Sequence, residues 1–267
     1  MKLSNITAQT KVRHKNDINK TLSKMPLSSR RVLFMAISQL DSKKLITSEQ
    51  VFRIYASEYA KITGLEMNTS YEQLKLAAID LQKQLIGIPK NELLPPIPRI
   101  GDRPWKKPVG TGVRMLNVTE YCDYEDGDGF IDISFSRQME PYICMLEGQY
   151  TTQVLLSSTR LRDINASNLY QLIRKKVSQK KDRYFEIGVD ELKDELGLYT
   201  TKNKKKIYSY NLFKDFNKVV IKRSIATISC TTEIKDVKVE IIERKQRKAS
   251  KLRFSYQVDE QMRFNGF

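Results

Sequence analysis

Apolar and polar positions along the chain fall into one order that occurs twice. Phe52, Ile54, Glu58, Gly64 and Leu65 spell F-x-I-x3-E-x5-G-L, and Phe185, Ile187, Glu191, Gly197 and Leu198 spell it again 133 residues later. In each copy a period-two alternation predicts a short strand, and the apolar positions that follow recur at helical spacing. Each short helix is expected to stop at its glycine, the residue that most readily takes the left-handed conformation closing a helix. A longer amphipathic helix comes next in both copies. Strand, short helix, turn and long helix is the local layout of a helix-turn-helix, and five matched positions at one offset point to internal duplication.

The surrounding pattern extends each copy into a larger unit. In the first, Ser28 or Ser29 is placed to cap a helix whose Val32, Leu33, Ala36, Ile37 and Leu40 share one face. A short helix over about residues 57–63 and a long one from Thr69 or Ser70 follow the strand, with Leu74, Ala77, Ala78, Leu81 and Leu85 as its apolar stripe. Residues 94–112 are too rich in Pro and Gly for regular structure and read as a loop. Strands are expected near 113–124 and 130–135, joined by a Gly-rich acidic turn. Helices plus a hairpin make a winged helix.

The second unit repeats the order. Asn165 is placed to cap a helix carrying Leu169, Leu172, Ile173 and Val177. A strand over 183–189 and a short helix ending at Gly197 then lead to a long helix from Ser209. Leu212, Phe213, Phe216, Val219 and Val220 fall on one side of that helix, and Tyr210, Asn211, Lys214, Asn217 and Lys218 on the other. Three strands, near 226–232, 237–243 and 251–258, are expected to close the unit. The fold class is therefore α+β: two tandem winged-helix domains related by internal duplication. Residues 1–20 read as a basic tail, 21–148 as the first domain and 149–267 as the second.

Composition says what such a scaffold would meet. The chain has 47 Lys plus Arg against 31 Asp plus Glu, a formal charge of +16, so a polyanion is the natural partner, nucleic acid ahead of an anionic membrane surface. No apolar run approaches the roughly 20 residues that span a bilayer, and the first residues lack the apolar centre of a signal peptide, so a cytoplasmic location without membrane association is expected. Cys122, Cys144 and Cys230 are few and scattered, which fits structural roles in a reducing compartment.

Charge then selects candidate contacts. Lys202, Lys204, Lys205 and Lys206 enter the second long helix, where cations and backbone donors together suit phosphate. Beyond them Tyr208, Ser209, Tyr210, Asn211, Lys214 and Lys218 offer groups for a major groove. The segment 243–251, with Arg244, Lys245, Arg247, Lys248 and Lys251, is the candidate wing. A solvated lysine-rich loop before an ordinary surface helix is the alternative, and the position of the run within the helix-turn-helix favours DNA. In the first unit the corresponding candidates are Ser70, Tyr71, Gln73 and Lys75, with Lys106 and Lys107 beside Trp105 in the long loop.

Enzyme readings lack their constellations, so no catalytic residue, metal or cofactor is expected. One histidine, His14, excludes a paired-His metal site, and a basic tail is a poor place to orient a catalytic base. No phosphate loop of the G-x4-G-K-[ST] form is present. Set against a calcium loop with Gly129 as its glycine, the acidic stretch 123–132 puts Tyr124 and Phe135 at the end ligand positions, so a tight hairpin turn explains it better. A carboxylate nuclease site there is the remote alternative.

The order of elements, with NASNLYQLIRKK at 165–176, FEIGVDELKDELGL at 185–198, YSYNLFKDFNKVVIKR at 208–223 and, in the first half, VRHKNDIN, SRRVLFMAISQL and YASEYAKITGL, resembles the iteron-binding, theta-type plasmid replication initiators. The resemblance implies tandem winged helices that bind repeated double-stranded origin sites as monomers and help open the origin. It also implies recruitment of a host initiator and the replicative helicase, and repression of the protein's own gene by a homodimer bound at an operator. The first domain would supply dimer contacts, and the helix at about 209–221 would be the recognition helix of the second. A dedicated transcriptional repressor of the same fold, or a metal-dependent nickase, are the alternatives.

Overall fold

Val12 and His14 alternate with exposed lysine and arginine, and in the computed structural model, which describes residues 6–47, 50–179, 182–203 and 205–262, Lys11–Lys15 form a strand, β1. The first half continues with a 3-10 turn, α1 (Asn19–Leu22), α2 (Leu27–Ser38), β2 (Phe52–Tyr55), α3 (Ala56–Thr63) and α4 (Met67–Gln82). Next come β3 (Leu85–Pro89), β4 (Val113–Asn117), β5 (Thr119–Tyr124), β6 (Phe130–Phe135), α5 (Glu140–Ile143), β7 (Tyr150–Val154) and α6 (Leu155–Arg160). The second half holds α7 (Ile164–Gln179), β8 (Tyr184–Gly188), α8 (Val189–Glu195), β9 (Tyr199–Lys202) and β10 (Lys205–Tyr208). It closes with a helical run of α9 (Phe213–Asp215), a π-helical segment (Phe216–Lys222) and α10 (Arg223–Thr231), then β11 (Ile234–Lys245) and β12 (Lys248–Val258).

Both repeats fold alike. β2 pairs with β6 and β8 with β12, so each repeat's strand joins its unit's wing hairpin. Phe52, Ile54, Phe185 and Ile187 point into the cores, and Gly64 and Gly197 take φ of +67° and +70° where the short helices end. The motif is scaffold: it sets the angle between α3 and α4, and between α8 and the helical run behind it.

Several expectations give way to packing. The expected basic tail is not free along 11–15, since β1 pairs antiparallel with β7 and buries Val12 and His14. The His14 ring stacks on Phe34 at 5.9 Å, with Nδ1 3.1 Å from the Lys15 carbonyl and Nε2 3.3 Å from Gln153 Nε2. That pairing of strands also carries the first core through Val154, Leu155 and Leu156, past residue 148, and the second core begins at Leu161. At the start of α7 the backbone N–H of Ala166 donates to Asp163 Oδ1 at 2.9 Å, so Asp163 caps the helix and Asn165 lies within it. Finally, the segment expected as a strand at 226–232 is helical because Ser224 and Ile228 continue the buried stripe of Val220 and Ile221, and packing outweighs the β-propensity of its Ile and Thr residues.

The two units meet through buried polar bonds. Arg30 of α2 donates to Ser167 Oγ at 3.0 Å and Asn168 Oδ1 at 2.8 Å on α7, while Asn168 Nδ2 donates to the Ser23 and Leu196 carbonyls, each at 2.9 Å. Gln171 Nε2 donates to Asn19 Oδ1 at 2.6 Å, and Asn19 Nδ2 to Thr151 Oγ1 at 3.1 Å. Burial depresses the pKa of the Arg30 guanidinium to about 9. Also along α7, Glu233 of the second unit accepts from Tyr170 at 2.9 Å and from Ser157 of α6, and pairs with Arg174 at 3.2 Å. Bonds of this kind are costly to leave half-made, so the seam resists opening.

Candidate nucleic-acid interface

A two-stranded ribbon separates the helices of the second helix-turn-helix. The lysine run at 202–206 reads from sequence as the entry to a helix N-terminus; instead β9 and β10 pair antiparallel, with Lys205 opposite Lys202 and Tyr208 opposite Tyr199. Asn203 turns the chain with φ of +51°, and Lys204 lies outside the described residues. An asparagine in a two-residue connection favours this geometry because it tolerates positive φ. Lys202 and Lys205 are exposed, whereas Lys206 is tied to Asp194 at 2.5 Å, a bond that raises its pKa.

The ribbon delivers the chain to the long helix through Ser209, whose N–H donates to the Leu198 carbonyl at 3.0 Å. The helix therefore begins at Phe213 rather than Ser209, and Ser209 and Asn211 are exposed positions ahead of it. Tyr210 has φ of +59°, packs its ring 6.2 Å from Phe216 and accepts a bond from Lys193 Nζ at 2.9 Å, so it braces the helix start. Tyr208 is half-buried edge-on against Tyr199 at 6.3 Å. Lys214 and Lys218 are exposed on the helix, as expected, and Asn217 is half-buried.

The wing continues the basic surface. At the β11–β12 tip Gln246 and Arg247 both have positive φ, 48° and 66°, and Arg244, Lys245, Arg247 and Lys248 are exposed. Lys251 lies farther down the hairpin, half-buried, and pairs with Glu186 at 2.7 Å alongside Arg253, so it secures β12 to β8. These two cations hold the Glu186 carboxyl below its usual range.

The first unit is built differently. α4 begins at Met67, which puts Ser70 on the apolar stripe with Leu74, Ala77, Ala78 and Leu81; Ser70 is buried and cannot make the expected DNA contact. Tyr71 accepts from the Gly127 N–H at 2.9 Å, Lys75 pairs with Asp126 at 2.6 Å, and Gln73 lies 3.5 Å from the Tyr59 hydroxyl. The partner in the first two contacts is the β5–β6 hairpin tip, where Glu125, Asp126 and Asp128 are exposed. A turn rather than a calcium loop explains this tip, with Gly127 and Gly129 at φ of +102° and +71°. In the long loop Lys106 and Lys107 are exposed and Trp105 is 38% exposed; the loop is pinned by Arg99–Glu140 at 2.5 Å, by Arg137–Asp102 and by the Leu94 N–H on the Tyr142 hydroxyl at 3.1 Å. Among the described residues no group of three or more His, Cys, Asp or Glu could hold a metal, and no helix is long and apolar enough to cross a membrane.

Residues 11–174 match the family model described as Initiator Replication protein, WH1, and residues 188–256 match Initiator Rep protein, WH2. The chain belongs to this initiator family. It is 36% identical over 263 residues to the PI protein of Escherichia coli, covering 97% of this chain and 86% of that one. Among solved structures it resembles the crystal structure of Pi initiator protein in complex with iteron DNA, with a TM-score of 0.84 and 36% identity, covering 96% of this chain and all of the other. Tandem winged helices are thus the fold of this initiator.

Three exposed groups of the initiator's long helix go beyond those its sequence pattern singles out. Lys222 and Arg223 extend the lysine row beyond Lys218, and Val219 is 44% exposed. The lysine and arginine are legible in the run 218–223 once the helix is known to continue to Thr231. Val219 is not, since an α-helical wheel places it inside with Phe216.

Proposed function

We propose that this initiator binds repeated double-stranded origin sites, with the helical run from Phe213 in a major groove, the β9–β10 ribbon and the β11–β12 tip on flanking phosphates, and the first unit on neighbouring DNA. Support comes first from the full-length likeness to a protein whose structure holds iteron DNA. The exposed row of Lys202, Lys205, Lys214, Lys218, Arg244, Lys245, Arg247 and Lys248 supplies the matching electrostatics. Origin opening with a host initiator and the replicative helicase, and repression of its own gene as a homodimer on an operator, complete the reading. Binding alone is the activity; no step of catalysis by this chain is invoked.

The first unit's share is the smaller one. The acidic β5–β6 tip engages Tyr71 and Lys75, so Lys106 and Lys107 of the long loop are its better-placed cations. A first core that runs to Leu156 and a second that begins at Leu161 support a division between the units at about residue 160.

Selection of bound sequences from random DNA, followed by footprinting, tests this function. One recurring element arranged as direct repeats in the parent origin is the expected result; recovery of a lone palindrome favours the repressor, and failure to enrich any sequence refutes specific binding. Supercoiled origin plasmid incubated with the protein and magnesium should stay uncut.

A further inference from the structure

An apolar side chain stands within a row of exposed cations on the long helix of the second unit. Val219 is 44% exposed, and Leu212, seven residues earlier at the helix entry, is 67% exposed. Around them Lys214, Lys218, Lys222 and Arg223 are all exposed. The outward turn of Val219 has a local cause. Residues Phe216–Lys222 are π-helical, with hydrogen bonds to i+5, so each turn holds more residues than an α-turn. Phe216, Val220 and Ile221 thereby take the buried side, and Val219 moves to the lysine side.

Resting on the reading that this helix enters a major groove, we propose that Val219 is a specificity-determining residue that packs on the 5-methyl group of a thymine. The chemistry matches on both sides of the contact. Four cations restrict the partner of this face to a polyanion, and the apolar group that double-stranded DNA displays in its major groove is the thymine methyl. Phosphate contacts by Lys218 and Lys222 hold the helix in register, and an apolar contact at its centre discriminates thymine from cytosine, which presents a hydrogen-bond donor and no methyl. The π-segment is then a device that turns this side chain out, which fits the frequent occurrence of such segments at functional sites. Leu212 offers a second apolar contact nearer the helix entry.

The test uses the full-length protein and duplex probes carrying its selected site, with each thymine in turn replaced by deoxyuridine, which removes only the methyl. Loss of one buried methyl should weaken wild-type binding about fourfold at one position. Val219→Ala should bind the unmodified probe about fourfold more weakly and show no further loss at that position. Val219→Thr, which keeps a methyl there, should retain the preference. If every deoxyuridine probe binds the wild type normally while the footprint is intact, or if Val219→Ala loses as much as the wild type at the sensitive thymine, the proposal is wrong and the groove reading stands. If Lys214→Ala leaves affinity and footprint untouched, both are wrong. Circular dichroism of the Val219 variants, unchanged if the side chain is external, separates misfolding from lost contact.

Discussion

The one histidine of this chain gives its stability a distinctive pH dependence. His14 is fully buried, and burial first, opposed by the Lys15 carbonyl and aided by the charge of Arg30, lowers its pKa from 6.5 to about 4. The folded protein therefore refuses a proton that the unfolded chain accepts. Its contribution to stability is complete above about pH 6.5 and declines as pH falls toward 4. A tenfold difference in proton affinity is worth about 1.36 kcal/mol, so the full effect is roughly 3 kcal/mol, and the part that falls between pH 7 and pH 5 is about 2 kcal/mol. Urea unfolding of the wild type and of His14→Gln at both pH values isolates this contribution, because the carboxylates that also titrate are common to the two proteins. The variant will be less stable at pH 7, having lost the stack on Phe34, and that loss is the same at either pH. What matters is the difference in pH dependence: the wild type should lose about 2 kcal/mol more than the variant between pH 7 and pH 5. Parallel losses would show that the folded ring titrates normally and that β1 opens to solvent.

Other groups give sharper local outcomes. Glu233→Ala leaves Arg174 buried without its anion and removes the acceptor of Tyr170 and Ser157; a cost of about 3–5 kcal/mol should appear as a Tm lowered by about 10 °C. Gly64 and Gly197 share a left-handed φ, but a Cβ at Gly64 meets open space and one at Gly197 comes within 3.0 Å of Ser23 Oγ. Gly64→Ala should cost about 1 kcal/mol and Gly197→Ala clearly more in urea unfolding, and equal costs would mean the seam gives way freely. Lys205→Ala should weaken binding to all DNA sequences alike and flatten the salt dependence by about 0.9 in log–log slope, whereas Lys214→Ala should also change the preferred sequence in a selection.

The duplicated motif makes the scaffold legible because its residues act locally: alternating Phe and Ile make a half-buried strand and the glycine ends the helix it follows. Where sequence and structure part, a distant contact or a non-standard turn decides the outcome. The alternation of Val12 and His14 is too short to announce a strand by itself, and its partner β7 lies more than a hundred residues away. The lysine density of 202–206 masks the Asn203 turn signal that makes the ribbon. Ser70 reads as an exposed position while the helix is taken to start at Thr69 or Ser70; with α4 starting at Met67 it lies inside the helix, one turn before Leu74 on the buried stripe. Val219 reads as inward-facing because a helical wheel assumes 3.6 residues per turn, which the π-segment does not obey. The basic tip at 244–248 is readable because a hairpin tip needs only short-range pairing and solvent-facing charge.

If both units bind DNA as proposed, the seam held by Arg30 and Asn168 makes the molecule a ruler as well as a reader. Units joined by a flexible tether can each find a groove and let the tether absorb any offset; units joined by buried bonds present their faces at one fixed separation and one angular phase. Inserting a single base pair between the stretches that the units contact would turn one stretch by about a tenth of a helical turn relative to the other. Following that rotation would require the guanidinium of Arg30 to leave Ser167 and Asn168 within the protein interior. On the proposed two-unit binding, the spacing between contacted segments would be set by residues buried inside the protein.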